Sequence, residues 1–144
     1  MAHVTIHEHK VQYYETDQMA IAHHSNYIRW FEEARIKLFD ELGIGYKESE
    51  EKGIISPVVS VEANYKNMSR FYDDLLIKVW IVDYTGVRAT IKYEVTDKAT
   101  GELRCTGKSK HCFINPEGRV ISIKKVSPEG HRILEEACVK EEGK

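Results

Sequence analysis

Apolar residues recur at three- and four-residue steps in the first third of the chain: Tyr27, Trp30, Phe31, Ala34, Leu38 and Leu42. That is the period of a helix with one apolar stripe, and Arg29, Glu32, Glu33, Lys37 and Glu41 fall on its other side. The spacing predicts a helix over 26–42. Ser25 or Asn26 can cap its start, Gly43 can end it, and Glu33 can pair with Lys37 one turn on. A short polar helix over 46–52, closed by Gly53, follows. Elsewhere the period drops to two. Strands are predicted over 4–14, 54–65, 75–84, 88–97 and 102–114. Tyr72-Asp73-Asp74, Thr85-Gly86 and Lys98-Ala99-Thr100-Gly101 mark turns between them. Asn115-Pro116-Glu117-Gly118 makes a further turn, with a short strand expected up to Ile123. Ser127-Pro128-Glu129 has the hydroxyl, proline and acid that begin a helix, expected to run to about Lys140.

The order is strand, helix, a run of antiparallel strands, then a helix. It is an α+β arrangement, distinct from the alternating βαβ of a dinucleotide binder. Only the long helix has a stripe wide enough to cover a sheet of such strands, and small Ala34 at its centre permits close approach. One helix leaves sheet edges uncovered, and self-association would relieve that.

Length and charge narrow the picture. The 144 residues suit one domain, read as 1–144 with its core over about 4–126 and a C-terminal helix over about 128–140. The net charge of −2 comes from interspersed acids and bases, so neither nucleic acid nor disorder is indicated. Met1 to Lys10 lacks the apolar centre of a secretion signal, and no apolar run reaches the ~18 residues of a membrane span, so a cytoplasmic protein is expected. Cys105, Cys112 and Cys138 form no C-x-x-C pair and fit neither a disulfide framework nor a zinc knuckle. Cys112 is expected in the core. His3, His7 and His9 resemble a metal cluster, but no carboxylate or cysteine frames them in sequence, and no metal is expected there.

Candidate chemistry concentrates over 14–27. A helix start presents free N–H groups and partial positive charge, and most helices place an acid there. Here the first helical acids, Glu32 and Glu33, come more than a turn later. Asp17 stands nine residues before the helix. An acid-free positive end facing a lone carboxylate can polarise a carbonyl while the carboxylate, or a water it activates, attacks.

Thr16-Asp17, then Asn26-Tyr27, Trp30-Phe31-Glu32 and Ala34-Arg35, resemble the hotdog-fold acyl-CoA thioesterases of the 4-hydroxybenzoyl-CoA thioesterase type. Pro57-Val58-Val59 through Asn64-Tyr65, followed by Asp73-Asp74, resembles the family's second strand and turn. Cys112-Phe113-Ile114-Asn115 through Gly118-Arg119 resembles its last strand and turn. The likeness extends to about Val126. It implies a single hotdog domain, a five-stranded antiparallel sheet wrapped around one long helix with an extra C-terminal helix. It further implies Asp17 as the catalytic carboxylate, acting as nucleophile or general base, and the His24 backbone N–H as holder of the thioester oxygen. With that motif His23, Asn26, Tyr27 and Val59 are assigned to substrate binding. The imidazole of His23 and the side chains of Asn26 and Tyr27 keep plainer alternatives, as a loop residue, a cap and a packing residue. The resemblance also implies a site at a homodimer interface, with dimers pairing into tetramers. No cofactor or metal is implied, coenzyme A entering as part of the substrate. Glu15, Ala20 and Ala22 depart from the family's usual Asp, Gly and larger aliphatic residue. Ala20 sets a Cβ where the backbone favours glycine.

The expected activity is hydrolysis of an acyl-CoA, or of an acyl group on another pantetheine carrier. Two rivals stand beside it. A hotdog hydratase or dehydratase would use an Asp/His pair near an Asn-Pro, and the chain's only Asn-Pro, Asn115-Pro116, lies in a late turn. A non-catalytic acyl-CoA-binding module would bind without turnover. Lys66, Arg70, Arg88 and Lys108 are candidate partners for coenzyme A phosphates, with no basis in sequence for choosing among them.

Overall fold

The computed structural model describes residues 2–140. Strand β1 (Val4–Lys10) leads through a single 3-10 turn (Tyr13–Glu15) to helix α1 (Ser25–Glu41) and the short α2 (Tyr46–Glu51). Strands β2 (Val58–Tyr65), β3 (Asp74–Tyr84), β4 (Arg88–Asp97) and β5 (Leu103–Cys112) follow, then α3 (Ile123–Val126) and α4 (Pro128–Ala137). The strands form one antiparallel sheet in the order β1-β3-β4-β5-β2. This is the α+β hotdog architecture. Among the described residues no helix is long and apolar enough to cross a membrane.

Alternation along the strands decides which face α1 covers. Leu75, Ile77, Val79 and Ile81 of β3, with Ala89, Ile91, Tyr93 and Val95 of β4, are buried beneath Trp30, Phe31, Ala34 and Leu38 of α1. Phe31 stacks on Tyr93 with ring centroids 4.3 Å apart. The close approach requires Gly107 on β5, where a Cβ would overlap the Phe31 ring. Arg35, also on the covered side, is buried and donates to Tyr46 Oη at 3.2 Å and Tyr93 Oη at 2.9 Å. At the far edge, β2 pairs only with β5, and seven of its eight residues are exposed. Val58, Val59, Val61 and Tyr65 there form an uncovered apolar strip.

Several expectations need correction. The first strand ends at Lys10 because Gln12 N–H turns back to Glu15 Oε1 at 2.8 Å and Val11 N–H goes to Asp73 O at 2.9 Å. No strand runs to Ile123: Val120 makes one isolated bridge to Ile114, and α3 begins at Ile123. Cys112 is not core. Parity on β5 turns Ser109 and His111 inward, and His111 is 2% exposed while Cys112 is half-buried. Burial, and then the charge of Arg35, push the His111 imidazole down to about 4. Glu33 does not pair with Lys37, whose Nζ instead donates to Ile6 O at 2.8 Å. The last helix starts as expected, with Gly130 N–H donating to Ser127 Oγ, but it ends at Ala137.

Candidate active site

The connection from β1 to α1 is built around Glu15. Its carboxylate is 5% exposed and lies 2.8 Å from each of three donors: Gln12 N–H, Trp30 Nε1–H and the His9 imidazole Nε2. Burial pushes the Glu15 carboxyl up, but the donors from Gln12, His9 and Trp30 outweigh it and hold the group below its ordinary value. Its backbone carbonyl accepts His23 N–H and Asn26 Nδ2–H, both at 2.8 Å. Residues on either side of the intervening loop are thus pinned to one point.

Between those pins the chain makes a tight excursion. Thr16 bridges Ala22, Asp17 N–H donates to Ile21 O at 3.0 Å, and Ala20 N–H returns to Asp17 O at 2.9 Å. Ala20 takes a φ of +63°, the left-handed conformation that disfavours a Cβ. Asp17 Oδ1 accepts Met19 N–H at 2.8 Å, which locks the turn. Its Oδ2 meets no donor among the described residues. Asp17 is therefore both a turn residue and a half-buried carboxylate with one oxygen uncommitted.

That carboxylate lines a cleft of about 350 Å³ with Ile21, His24, Tyr27, Tyr65 and Met68. Ala22 N–H is tied to Ser69 O at 2.7 Å, and Tyr27 Oη–H donates to Ser69 Oγ at 3.0 Å, so one wall rests on the loop before β3. His24 is the residue before α1, whose first turn carries no acid. The His24 N–H donates to no protein acceptor among the described residues. Its carbonyl accepts Tyr65 Oη–H at 3.1 Å, joining β2 to the helix start. Asp17 and His24 thus line one cleft.

Asp17, His24 and Tyr27 therefore come together. His23 stands beside them, its ring 4.2 Å from that of His24, but its Nδ1 accepts Ser25 N–H at 3.2 Å and it does not line the cleft. Asn26 is buried and structural: its amide serves the Glu15 and His23 carbonyls rather than capping the helix. Val59 lines a different cleft, of about 320 Å³, with Arg88 and Lys110. Of the candidate phosphate-binding cations, Lys66 borders the Asp17 cleft. Sequence reasoning missed the anchoring role of Glu15 and the support from Ser69. The departure from the family's usual Asp at position 15 was the available signal. Cys105 is buried, which pushes its thiol up to about 12, far from a nucleophile at neutral pH. Among the described residues, the group of metal-ligand type that converges is His7, His9 and Glu33, none of which lines the cleft.

Comparison with known proteins places this geometry in context. A family model described as the thioesterase-like superfamily matches residues 11–135. The protein YneP of Bacillus subtilis (strain 168), provisionally named an acyl-CoA thioesterase, is 36% identical over 136 residues, covering 94% of this chain and 98% of YneP. The crystal structure of a DHNA-CoA thioesterase from Staphylococcus aureus superposes with a TM-score of 0.88 at 33% identity, over 92% of this chain and 89% of that one. A hypothetical protein of Thermus thermophilus superposes with a TM-score of 0.84 at 25% identity, over 96% of this chain and 100% of that one.

Proposed function

The chain belongs to the thioesterase-like superfamily and is a thioester hydrolase, and we propose that it cleaves acyl-CoA with Asp17 and the start of α1 as its reacting groups. The observation that carries this reading is the shared cleft: Asp17, with one carboxylate oxygen uncommitted, and His24, whose N–H donates to no protein acceptor among the described residues, line the same space. The thioester carbonyl accepts the His24 N–H, aided by the acid-free helix start. Asp17 either attacks the carbonyl carbon, giving a mixed anhydride that water then hydrolyses, or takes a proton from the attacking water. The C–S bond breaks, the pantetheine thiolate leaves and is protonated, and the free acid remains. Tyr27, Tyr65 and Met68 wall the reacting end of the substrate, and Lys66 borders the same cleft.

The site is completed by a second copy. The free edge of β2 carries the Val58, Val59 and Val61 strip. Antiparallel pairing of two copies about the middle of β2 sets Val58 and Val59 of one chain alongside Asn64 and Tyr65 of the other. That pairing extends the sheet, covers the strip and gives Val59 a place at the Asp17 cleft.

Thiol release from acyl-CoAs ranging from acetyl to palmitoyl, with benzoyl and phenylacetyl, tests the activity. Turnover by the native protein and its loss in Asp17→Asn support the assignment; native-like turnover in folded Asp17→Asn removes it. Single turnover in ¹⁸O-water tests the nucleophilic route: label in Asp17 identifies a mixed anhydride opened by water at the Asp17 carboxyl carbon, since general-base catalysis leaves none there. Val61→Glu on the open edge is expected to give monomers by light scattering and to lose turnover.

A further inference from the structure

We propose that His7, His9 and Glu33 form a binding site for a zinc-class divalent transition-metal ion, clamping β1 to α1. His7 and His9 are two apart on β1, so their imidazoles share the face that meets α1. Glu33 comes down onto them from α1. One ligand atom from each of the three lies within 4.8 Å of the others. His7 Nε2 is 3.0 Å and His9 Nδ1 is 3.4 Å from Glu33 Oε1. Zinc bonds of ~2.0–2.2 Å in a tetrahedron set neighbouring donors ~3.3 Å apart, so two of the three separations already match. The third, between the His7 and His9 nitrogens, lies within 4.8 Å, and rotation of the His7 imidazole is what would close it.

The surroundings do more than gather three donors. His9 Nε2 lies 2.8 Å from the buried Glu15 carboxylate, which also accepts Gln12 N–H and Trp30 Nε1–H. Donation of Nε2–H to that carboxylate leaves Nδ1 as a lone pair aimed at Glu33. A carboxylate behind a histidine, fixing its tautomer and orientation, is the support that metal-bound imidazoles receive. Trp30 backs the same ring at a centroid distance of 4.8 Å. Two imidazole nitrogens and one carboxylate oxygen favour zinc, nickel or copper over magnesium or calcium, which prefer all-oxygen shells. The exposed side of Glu33 leaves the fourth position to water. His3 lies on the same face but pairs with Glu41, outside the converging group.

The competing account is a plain hydrogen-bonded zipper in which His9 bridges two carboxylates and no ion enters. Zinc titration of tag-free, chelator-treated protein separates the two, by calorimetry and by competition with a chromogenic chelator. One zinc per chain is expected, with a zinc-dependent rise in thermal midpoint. His7→Ala and Glu33→Gln should each weaken binding at least tenfold, while His3→Ala leaves it unchanged. X-ray absorption of the zinc-loaded native protein should show two imidazoles and light oxygen donors, a readout independent of whether any variant folds. Absence of stoichiometric zinc, binding insensitive to His7→Ala and Glu33→Gln, or loss on His3→Ala overturns the site. None of these outcomes depends on thioester hydrolysis.

Discussion

Glu15 and Asp17 are two residues apart and carry the same functional group, yet the fold sets them in opposite surroundings. Glu15 is buried with three donors around its carboxylate, and its carbonyl holds two more. Asp17 is half-buried, gives one oxygen to a turn and keeps the other on an open cleft. A buried carboxylate with donors on both oxygens is a fastener. One with an oxygen left without a donor at a cleft is available to a ligand. The difference teaches that the anchored acid fixes where the loose one stands, because the Glu15 carbonyl ties the far end of the loop on which Asp17 sits.

The sharpest way to break this division is Asp17→Asn. The amide oxygen can still accept Met19 N–H, so the thermal midpoint should hold while thiol release falls ~100-fold or more. A comparable fall in stability would mean that Asp17 too is mainly a fastener. Glu15→Gln should do the reverse. The new amide brings a donor into a ring of donors, at a cost of about 2–4 kcal/mol in denaturant unfolding, and turnover should drop only through the loosened loop.

Acid titration sharpens the same contrast. The folded Glu15 carboxyl lies below its ordinary value of 4.5, so its ionised form stabilises the native state above that value. The stabilisation is lost as pH falls through the depressed folded value. Unfolding curves of the native protein and Glu15→Gln should therefore be far apart at neutral pH and converge below the ordinary value. Other carboxylates held low, such as Glu41 and Asp97, titrate in both proteins and cancel in the difference. The smallest effect is expected from Ala20→Gly. Relief of the positive φ should raise stability by up to ~1 kcal/mol, with activity kept because the Asp17 turn is unchanged. Equal stability in the two proteins would show that flexibility gained in the unfolded chain offsets the strain.

Much of the fold was legible in local pattern. The stripe from Tyr27 to Leu38 is buried as its period implies, and the strand over Arg88–Asp97 lies within the bounds its alternation predicts. The motif around Asp17 and His24 was legible too, as a resemblance, and the chain does belong to a thioesterase superfamily. The inward residue of β5 was misread because Cys112 and His111 are neighbours, and a one-residue error in parity exchanges faces. Val59 could not be placed from local pattern, because its cleft depends on which strand edge stays open.

The order of amino acids alone determined the elements, since helix and strand periods are set by backbone geometry and need no partner. It also determined that α1 begins without an acid. Which groups meet across the molecule was decided only by tertiary structure. Packing of α1 on β1 carried Glu33 to His7 and His9, and Trp30 to Glu15, across sequence gaps that no local period spans. It also left β2 uncovered, because one helix is narrower than a five-stranded sheet. Burial and charge depend on those meetings, and so the split between the acid that fastens and the acid that faces the cleft arises only on folding.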